Sequence, residues 1–306
     1  MNIRYLKIFL AVVDNQTMNA AAKALNITQP SISQAISEME YYYGVKLFDR
    51  LSRHLYLTPT GTQLLSYARY IVSTFNEMEV FLKNSAQTPL LRIGATAVFS
   101  SRFLSGIVKE VQKQHPSAAL NIQGSSTPVI EEKLLNSELD LGIVEGKITH
   151  PDLVCQHLAT DRLVFVCGRT HPFYGKQISF QDLNDQAFIT YGGSSYLRNL
   201  FHHIAEEKGI RYQEFWTCSG SESIKTAVMD GLGLCITSAS MFRSELASGA
   251  LYEIPVEGMK LTREWMIAYH KNKFFHPMLL EFVRICQEYI GKQILEEANL
   301  QQCLLP

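Results

Sequence analysis

The stretch Ala20–Glu40, "AAAKALNITQPSISQAISEME", reads as two short helices with a break between them. Thr17, just ahead of it, stands where a side-chain oxygen can cap the first helix, and Ala20, Ala21, Ala24 and Leu25 fall on that helix's inner side. Small side chains let two steeply crossed helices bring their backbones close. Asn26 tolerates the left-handed conformation that a tight inter-helix turn requires. Thr28 can cap the next helix, and Pro30 falls in its first turn, where no intrahelical N–H bond is lost. Ile32, Ile36, Met39 and Tyr43 then face inward, whereas Gln29, Ser33 and Ser37 share the outward face with Pro30 and Gln34 beside them.

Upstream, Ile3, Leu6, Phe9, Leu10 and Val13 recur at helical spacing and give a preceding helix with one buried stripe. Downstream, Gly44 stops the third helix. "GVKLFDRLSRHLYLTPTG" (44–61) then breaks short apolar stretches with Arg50, Ser52 and Arg53, which predicts a two-stranded wing with a basic tip. Taken alone, an outward face of Gln and Ser would be the solvated side of an ordinary three-helix domain. The wing that follows argues against that reading.

In this order the first helix, the Ala20–Glu40 stretch, "GVKLFDR" and "LTPTG" resemble the winged helix-turn-helix of LysR-type transcriptional regulators. The resemblance implies a DNA-binding head over residues 1–61. Thr28, Gln29, Pro30, Ser31, Ser33, Gln34 and Ser37 would face double-stranded promoter DNA, and Arg50 and Arg53 its phosphates. A reading helix without arginine is chemically workable, because base edges are read by hydrogen bonds. A Gln side chain pairs bidentately with adenine and Ser takes either role. Phosphate charge can come from the wing and flanks, with Lys23 and Lys46 as further candidates. The family often carries a basic residue where this chain has Gln34, so weaker binding per head is expected, offset by several heads per oligomer.

Residues 62–87 contain neither Gly nor Pro, and Leu64, Ala68, Ile71, Phe75, Met78 and Leu82 alternate spacings of four and three. That is a heptad seam and predicts a linker helix pairing two copies in a dimer or tetramer. The competing reading is one amphipathic helix packed on its own body.

From residue 88 onward strand and helix patterns alternate, as in "LLRIGAT", "PVIEEKLLNSE", "LDLGIVEG", "RLVFVCG", "AFITYGG" and "GLCITS". This implies α/β units with a parallel sheet covered on both faces. Two subdomains are expected, about 88–160 with 266–306 and about 161–265, joined by two crossovers around a cleft. The layout is similar to the effector-binding domain of LysR-type regulators, itself akin to periplasmic solute-binding proteins.

Three hydroxyl-rich loops should converge on that cleft. They comprise Thr96 with Phe99, Ser100 and Ser101, then Ser125, Ser126 and Thr127, and in the other subdomain Ser194 and Ser195; Thr237 and Glu145 complete the candidate set. These hydroxyls either cap their helices or, with the free N–H groups and positive dipole ends of those helices, hold a small anionic effector. Glu145 would orient a cationic or hydroxyl part of the ligand or stand as a solvated turn residue.

The chain's 306 residues, 46% of them hydrophobic, exceed one small domain, and the net charge of −1 favours no partner by itself. Residues 1–61 carry six basic against four acidic side chains, a mildly basic head on an acidic body. "MNIRYLKIFLAVVDNQ" has basic residues before an apolar run, but Asp14, Asn15 and Gln16 end that run without a cleavage site. A cytoplasmic protein without membrane span is expected. His150, His157, His171, His202, His203, His270 and His276 form no metal spacing, "YGGSSY" lacks a nucleophile elbow, and "GLGLC" is too poor in glycine for a dinucleotide loop. No catalytic residue, metal or cofactor is expected. Of the six scattered cysteines none follows "FITYGG", where peroxide-sensing members of the family place a reactive one, so oxidation is not expected to be the signal. The rival to a regulator is a cytoplasmic small-molecule-binding or enzymatic module whose head mediates protein contacts.

Overall fold

The computed structural model describes residues 1–51, 54–83, 90–193 and 195–304. Helices α1 (Ile3–Asn15), α2 (Met18–Ala24) and α3 (Gln29–Tyr43) are followed by strands β1 (Phe48–Leu51) and β2 (His54–Leu57), which pair antiparallel as the wing. Thr17 Oγ1 accepts from Ala20 N at 3.2 Å, and Asn26 and Gly44 take the left-handed conformation at φ 53° and 65°. Thr28 occupies the cap position of α3, but its hydroxyl pairs with Ser31 Oγ at 2.9 Å instead of a backbone N–H.

The buried stripe of α1 consists of Leu6, Ile8, Phe9 and Val12, so it is rotated from the expected one, with Ile3, Leu10 and Val13 at its margin. In α2 the enclosed pair is Ala21 and Ala22, and Ala24 is exposed. On α3 Ile32, Ala35, Ile36 and Met39 are buried, while Tyr43 is exposed with Tyr41 and Tyr42. The inward stripe thus ends one turn before the helix does, because Gly44 redirects the chain into the wing.

Helix α4 runs Pro59–Lys83 and takes in the last residues assigned to the wing by sequence. Thr58 Oγ1 accepts from Gly61 N at 3.0 Å and donates to Lys46 O at 2.6 Å. A Cβ on Gly61 would stand 2.2 Å from Leu47 O, so only glycine lets the start of α4 press against the wing. The continuous dimer seam is corrected by this packing. Ala68 is fully buried in the head core and Leu64 packs beside it with Leu65 and Val72, since a two-stranded wing and three short helices alone leave one side of that core open. Ile71, Met78 and Leu82 remain exposed further along, and Phe75 is half-buried under Lys7.

The body contains β3 (Leu91–Ala95), α5 (Ala97–Phe99), a π-wound turn (Ser100–Leu104), α6 (Ser105–Gln114), β4 (Leu120–Gly124), α7 (Thr127–Leu135), β5 (Leu141–Glu145) and β6 (Leu153–Gly168). There follow β7 (Ala187–Tyr191), α8 (Tyr196–Lys208), β8 (Gln213–Cys218), α9 (Ser221–Met229), β9 (Cys235–Ser238), α10 (Arg243–Ala247), β10 (Leu251–Ile254), β11 (Leu261–His270) and α11 (Pro277–Leu304). Parallel pairing holds for β4–β3–β5 and for β7–β8. The rest departs from a purely parallel sheet, because β6 and β11 are long antiparallel partners that run through both subdomains and carry β5 at one end and β9 and β10 at the other. Their register slips between Trp265 and Met266, opposite Ala159 and His157. That bulge falls where the two subdomains divide, and bulges bend and twist strands. Each subdomain buries its own core, one around Ile93, Phe99, Ile107 and Phe282, another around Phe165, Phe188 and Phe201.

Candidate functional site

The outward face of α3 is built from Thr28, Gln29, Pro30, Gln34 and Ser37, all exposed, with Ser31 and Ser33 partly so. Gln29 Nε2 reaches only Met18 Sδ at 3.8 Å, which leaves its amide available. Gln34 is held: its Nε2 donates to Glu38 Oε1 at 2.8 Å, and Tyr5 Oη donates to the other carboxylate oxygen. These two hydrogen bonds hold the Glu38 carboxyl below its ordinary range, and Glu38 in turn raises the Tyr5 phenol. A fixed carboxylate beside the reading face was not anticipated. The Tyr5–Glu38–Gln34 chain links α1 to α3 and sets the angle of one reading amide.

The wing is anchored by Glu40, whose carboxylate accepts from Leu47 N at 2.8 Å and Phe48 N at 3.3 Å and pairs with Lys46 at 2.7 Å. Burial works against the charge of Glu40, and these donors outweigh it, so its carboxyl is held low. Lys46 therefore arrives at any phosphate already paired. Arg50 lies on β1 opposite Leu55; Arg53, at the wing tip, lies outside the described residues.

In the body the carboxyl ends of β3, β4 and β5 bring two of the three predicted loops together. Thr96 N donates to Ile143 O at 3.1 Å, and Ser125 N to Ala95 O at 3.0 Å. Ligands of open α/β sheets settle at these strand ends. Thr96, Ser126 and Ser195 each occupy the N-cap position of a helix with extended backbone, yet none of their hydroxyls makes a cap hydrogen bond. Capping therefore does not account for them. Thr96 and Thr237 are 5% and 0% exposed; among the described residues Thr96 Oγ1 and Ser100 Oγ have no hydrogen-bond partner, while the Thr237 hydroxyl stands against that of Tyr191. Leaving such a hydroxyl unpaired costs ~1–3 kcal/mol. Ser100 opens the π-wound turn, a local irregularity frequent at functional sites.

Other members of the set have different roles. Phe99 is fully enclosed, its ring against Phe103 and Trp265, so it is a core residue rather than a ligand contact. Ser101 turns back to donate to Val98 O at 3.0 Å. Thr127 begins α7 and is partly exposed. Ser194 lies outside the described residues.

Glu145 is neither a solvated turn residue nor waiting for a cationic ligand. It ends β5, is buried, and accepts from Arg263 Nη1 at 3.1 Å. Arg263, 1% exposed, also donates to Asp161 Oδ2 from Nε at 2.9 Å and from Nη2 at 2.7 Å, and its guanidinium stacks 4.2 Å over the Trp265 ring. Ser238 donates to the other oxygen of Asp161 at 2.8 Å. One buried cation is thus shared by two carboxylates where β5, β6, β9 and β11 meet. The Trp265 indole N–H and the Tyr191 hydroxyl are buried nearby without good hydrogen bonds, and burial pushes the Tyr191 phenol up to about 12. Tyr196 closes the other side, where a Cβ on Gly146 would come 2.8 Å from its ring. Sequence reasoning missed Arg263, Asp161, Tyr191, Tyr196 and Trp265. No local signal marked Arg263, because its burial comes from the pairing of β11 with β6.

The open pocket on α8 and β8, lined by Arg198, His202, Tyr212 and Glu214 among others, shares no residue with this cluster, and its Arg198 is already held by Glu214 at 2.7 Å. Among the described residues no group of His, Cys, Asp or Glu could hold a metal ion, and no helix is long and apolar enough to cross a membrane. Burial raises the thiols of Cys167, to about 11, and of Cys218, Cys235 and Cys286. The side chain of Cys303 lies outside the described residues.

Residues 3–62 match the model of the bacterial regulatory helix-turn-helix proteins of the lysR family, and residues 84–291 that of the LysR substrate binding domain. The chain is similar along 98% of its length to the transcriptional regulator CysL of Bacillus subtilis, at 27% identity over 98% of that protein. It is 30% identical to the RuBisCO operon transcriptional regulator of Acidithiobacillus ferrooxidans, covering 92% of this chain and 94% of that one. Among solved structures, full-length OxyR from Pseudomonas aeruginosa superposes with a TM-score of 0.68 at 20% identity, covering 95% and 94% of the two chains. Full-length CbnR bound to its target DNA does so with 0.61 at 21% identity, covering 94% and 100%. With a winged head, a linker helix and a two-subdomain body in one order, the chain belongs to the LysR family of DNA-binding transcriptional regulators.

Proposed function

We propose that this regulator works in the cytoplasm, binds promoter DNA through paired heads and is switched by a small anionic effector held between its subdomains. The observation that carries the effector class is the set of hydroxyls at the strand ends. Three helices begin there with uncapped hydroxyl residues, and among the described residues Thr96 and Ser100 hold buried hydroxyls without partners. Neutral donors and helix N-termini suit an anion. Arg263 supports the site without serving as its counter-ion, because Glu145 and Asp161 already neutralise it.

The heads pair through the part of α4 that the head leaves free, around Ile71, Phe75, Met78 and Leu82. Ile71→Asp should lower the mass in solution and abolish tight binding to a two-half-site operator while leaving the fold intact.

The test of the whole reading is a mobility-shift titration on the DNA upstream of the protein's own gene, with calorimetry of the full chain against matched anionic and neutral metabolites. Specific DNA binding, and uptake of an anion that alters it, are expected. A protein that ignored that DNA would count against the regulator reading, and a cleft that took only neutral or cationic compounds against the anion.

A further inference from the structure

Helix α4 touches the body on one short segment, and that segment also holds the head. Arg69 Nη2 donates to Asp14 Oδ1 of α1 at 2.9 Å, while its Nη1 lies 3.5 Å from Glu138 Oε1, just beyond α7. The Tyr70 ring stacks on His270 at 5.1 Å and 23°, and its hydroxyl donates to Asn272 O. One turn later Ser73 meets Ser137 O and the Arg92 guanidinium, each at 3.5 Å. Arg92 and Lys273 in turn share the buried Asp140, each at 2.7 Å. Every one of these body residues belongs to subdomain I, at the ends of β3, β5 and β11 remote from the cleft. Head contacts come from the same helix, through Ala68 and Val72.

We infer that Arg69 and Tyr70 are positioning residues that fasten the head to subdomain I, so that head, α4 and subdomain I turn as one body and ligand-driven movement is left to subdomain II. The regulatory meaning rests on the function proposed above, but the mechanical claim needs no ligand, so the two can fail separately. It assigns the flexing to the bulge between Trp265 and Met266, about one strand length, ~15 Å, from the joint.

The experiment is electron–electron distance measurement on the full-length protein, with spin labels on Asn19→Cys in α2 paired with Lys109→Cys in α6 or with Lys208→Cys in α8. The background carries Cys155→Ser and Cys303→Ser, and labelled chains are diluted into unlabelled ones so that only distances within one chain are read. The head-to-α6 distribution should be narrow and the head-to-α8 distribution broader. Arg69→Ala and Tyr70→Ala should each widen the former, and together at least double it. On two-half-site DNA, moving one half-site by half a helical turn, about 5 base pairs, should cost the parent roughly tenfold in affinity and the double variant no more than about threefold. Should the double variant fold poorly, Asp14→Asn and Glu138→Gln weaken the Arg69 ties at the surface and should widen the distribution in the same direction, by about as much as Arg69→Ala. A head-to-α6 distribution as broad as head-to-α8 in the parent, or one unmoved by variants that still fold, would overturn the inference.

Discussion

The outward face of α3 and the wall of the cleft are made of the same materials, uncharged amides and hydroxyls, and they are opposite in physical state. On α3 these groups stand in water, and Gln34, Thr28 and Ser31 already have partners within the head. At the strand ends Thr96 Oγ1 and Ser100 Oγ are shut away from water with no partner among the described residues. Under the proposed function the first surface would give up little solvation on meeting DNA and would serve to discriminate between bases. The second carries its unpaired hydroxyls at a cost in the free protein, and a ligand that reached them would relieve that penalty. Charge is also distributed differently. Glu38 stands exposed on α3 itself, whereas Arg263 is buried and neutralised twice over.

The sharpest test of that contrast is Arg263→Met. It strands the buried Glu145 and the partly buried Asp161, and breaking a buried pair costs ~3–5 kcal/mol. Denaturant unfolding of the full chain should show a loss of that size, partly recovered by Asp161→Asn on top. A loss below ~1 kcal/mol would mean the network is wetter than the structure indicates. Next comes Gln29→Ala, which should leave stability unchanged yet cost roughly 1–3 kcal/mol on the best operator and relax preference at one base pair. Arg50→Ala should instead weaken all sequences alike and lower the salt slope by about one. If Gln29→Ala altered neither affinity nor base preference, the exposed face would be solvated surface.

Thr96→Val should have the reverse profile. Replacing an unpaired buried hydroxyl by a methyl should be neutral or stabilising by up to ~1 kcal/mol in the ligand-free protein, while effector response falls and effector-free DNA binding persists. A Thr96→Val protein that melted early would show that this hydroxyl has a partner after all. The smallest effect expected is none. Low-dose peroxide should leave DNA binding unaltered, because burial holds the Cys167, Cys218, Cys235 and Cys286 thiols protonated at neutral pH. Peroxide sensitivity abolished by replacing one cysteine would reverse this.

The two surfaces were not equally legible in sequence. The reading face is set by 3.6-residue periodicity within fifteen residues, so Gln29, Ser33 and Ser37 could be placed from spacing alone. The buried network around Arg263 is assembled from β5, β6, β9 and β11, and spacing says nothing about which strand positions meet. The loops at helix starts were visible because Ser and Thr mark them. Arg263 and Asp161 were not, since each reads locally as one charge in a strand. Their contact depends on the register Arg263↔Asp161 between β11 and β6. The dimer seam misled in its first turns for a related reason. Heptad spacing records that a stripe is buried, not whose surface buries it, and the head takes Leu64 and Ala68 before any second copy can.

The sheet shared through β6 and β11 has a consequence for how the body comes apart. Neither subdomain owns its edge: β6 and β11 are hydrogen-bonded from Leu153↔His270 at one end to Leu261↔Leu163 at the other. Excising either lobe would expose a long unpaired strand, a template for aggregation. Heat should therefore melt the two lobes of the body in a single calorimetric peak despite their separate cores, and proteases that nick the linker should release the body whole rather than in halves.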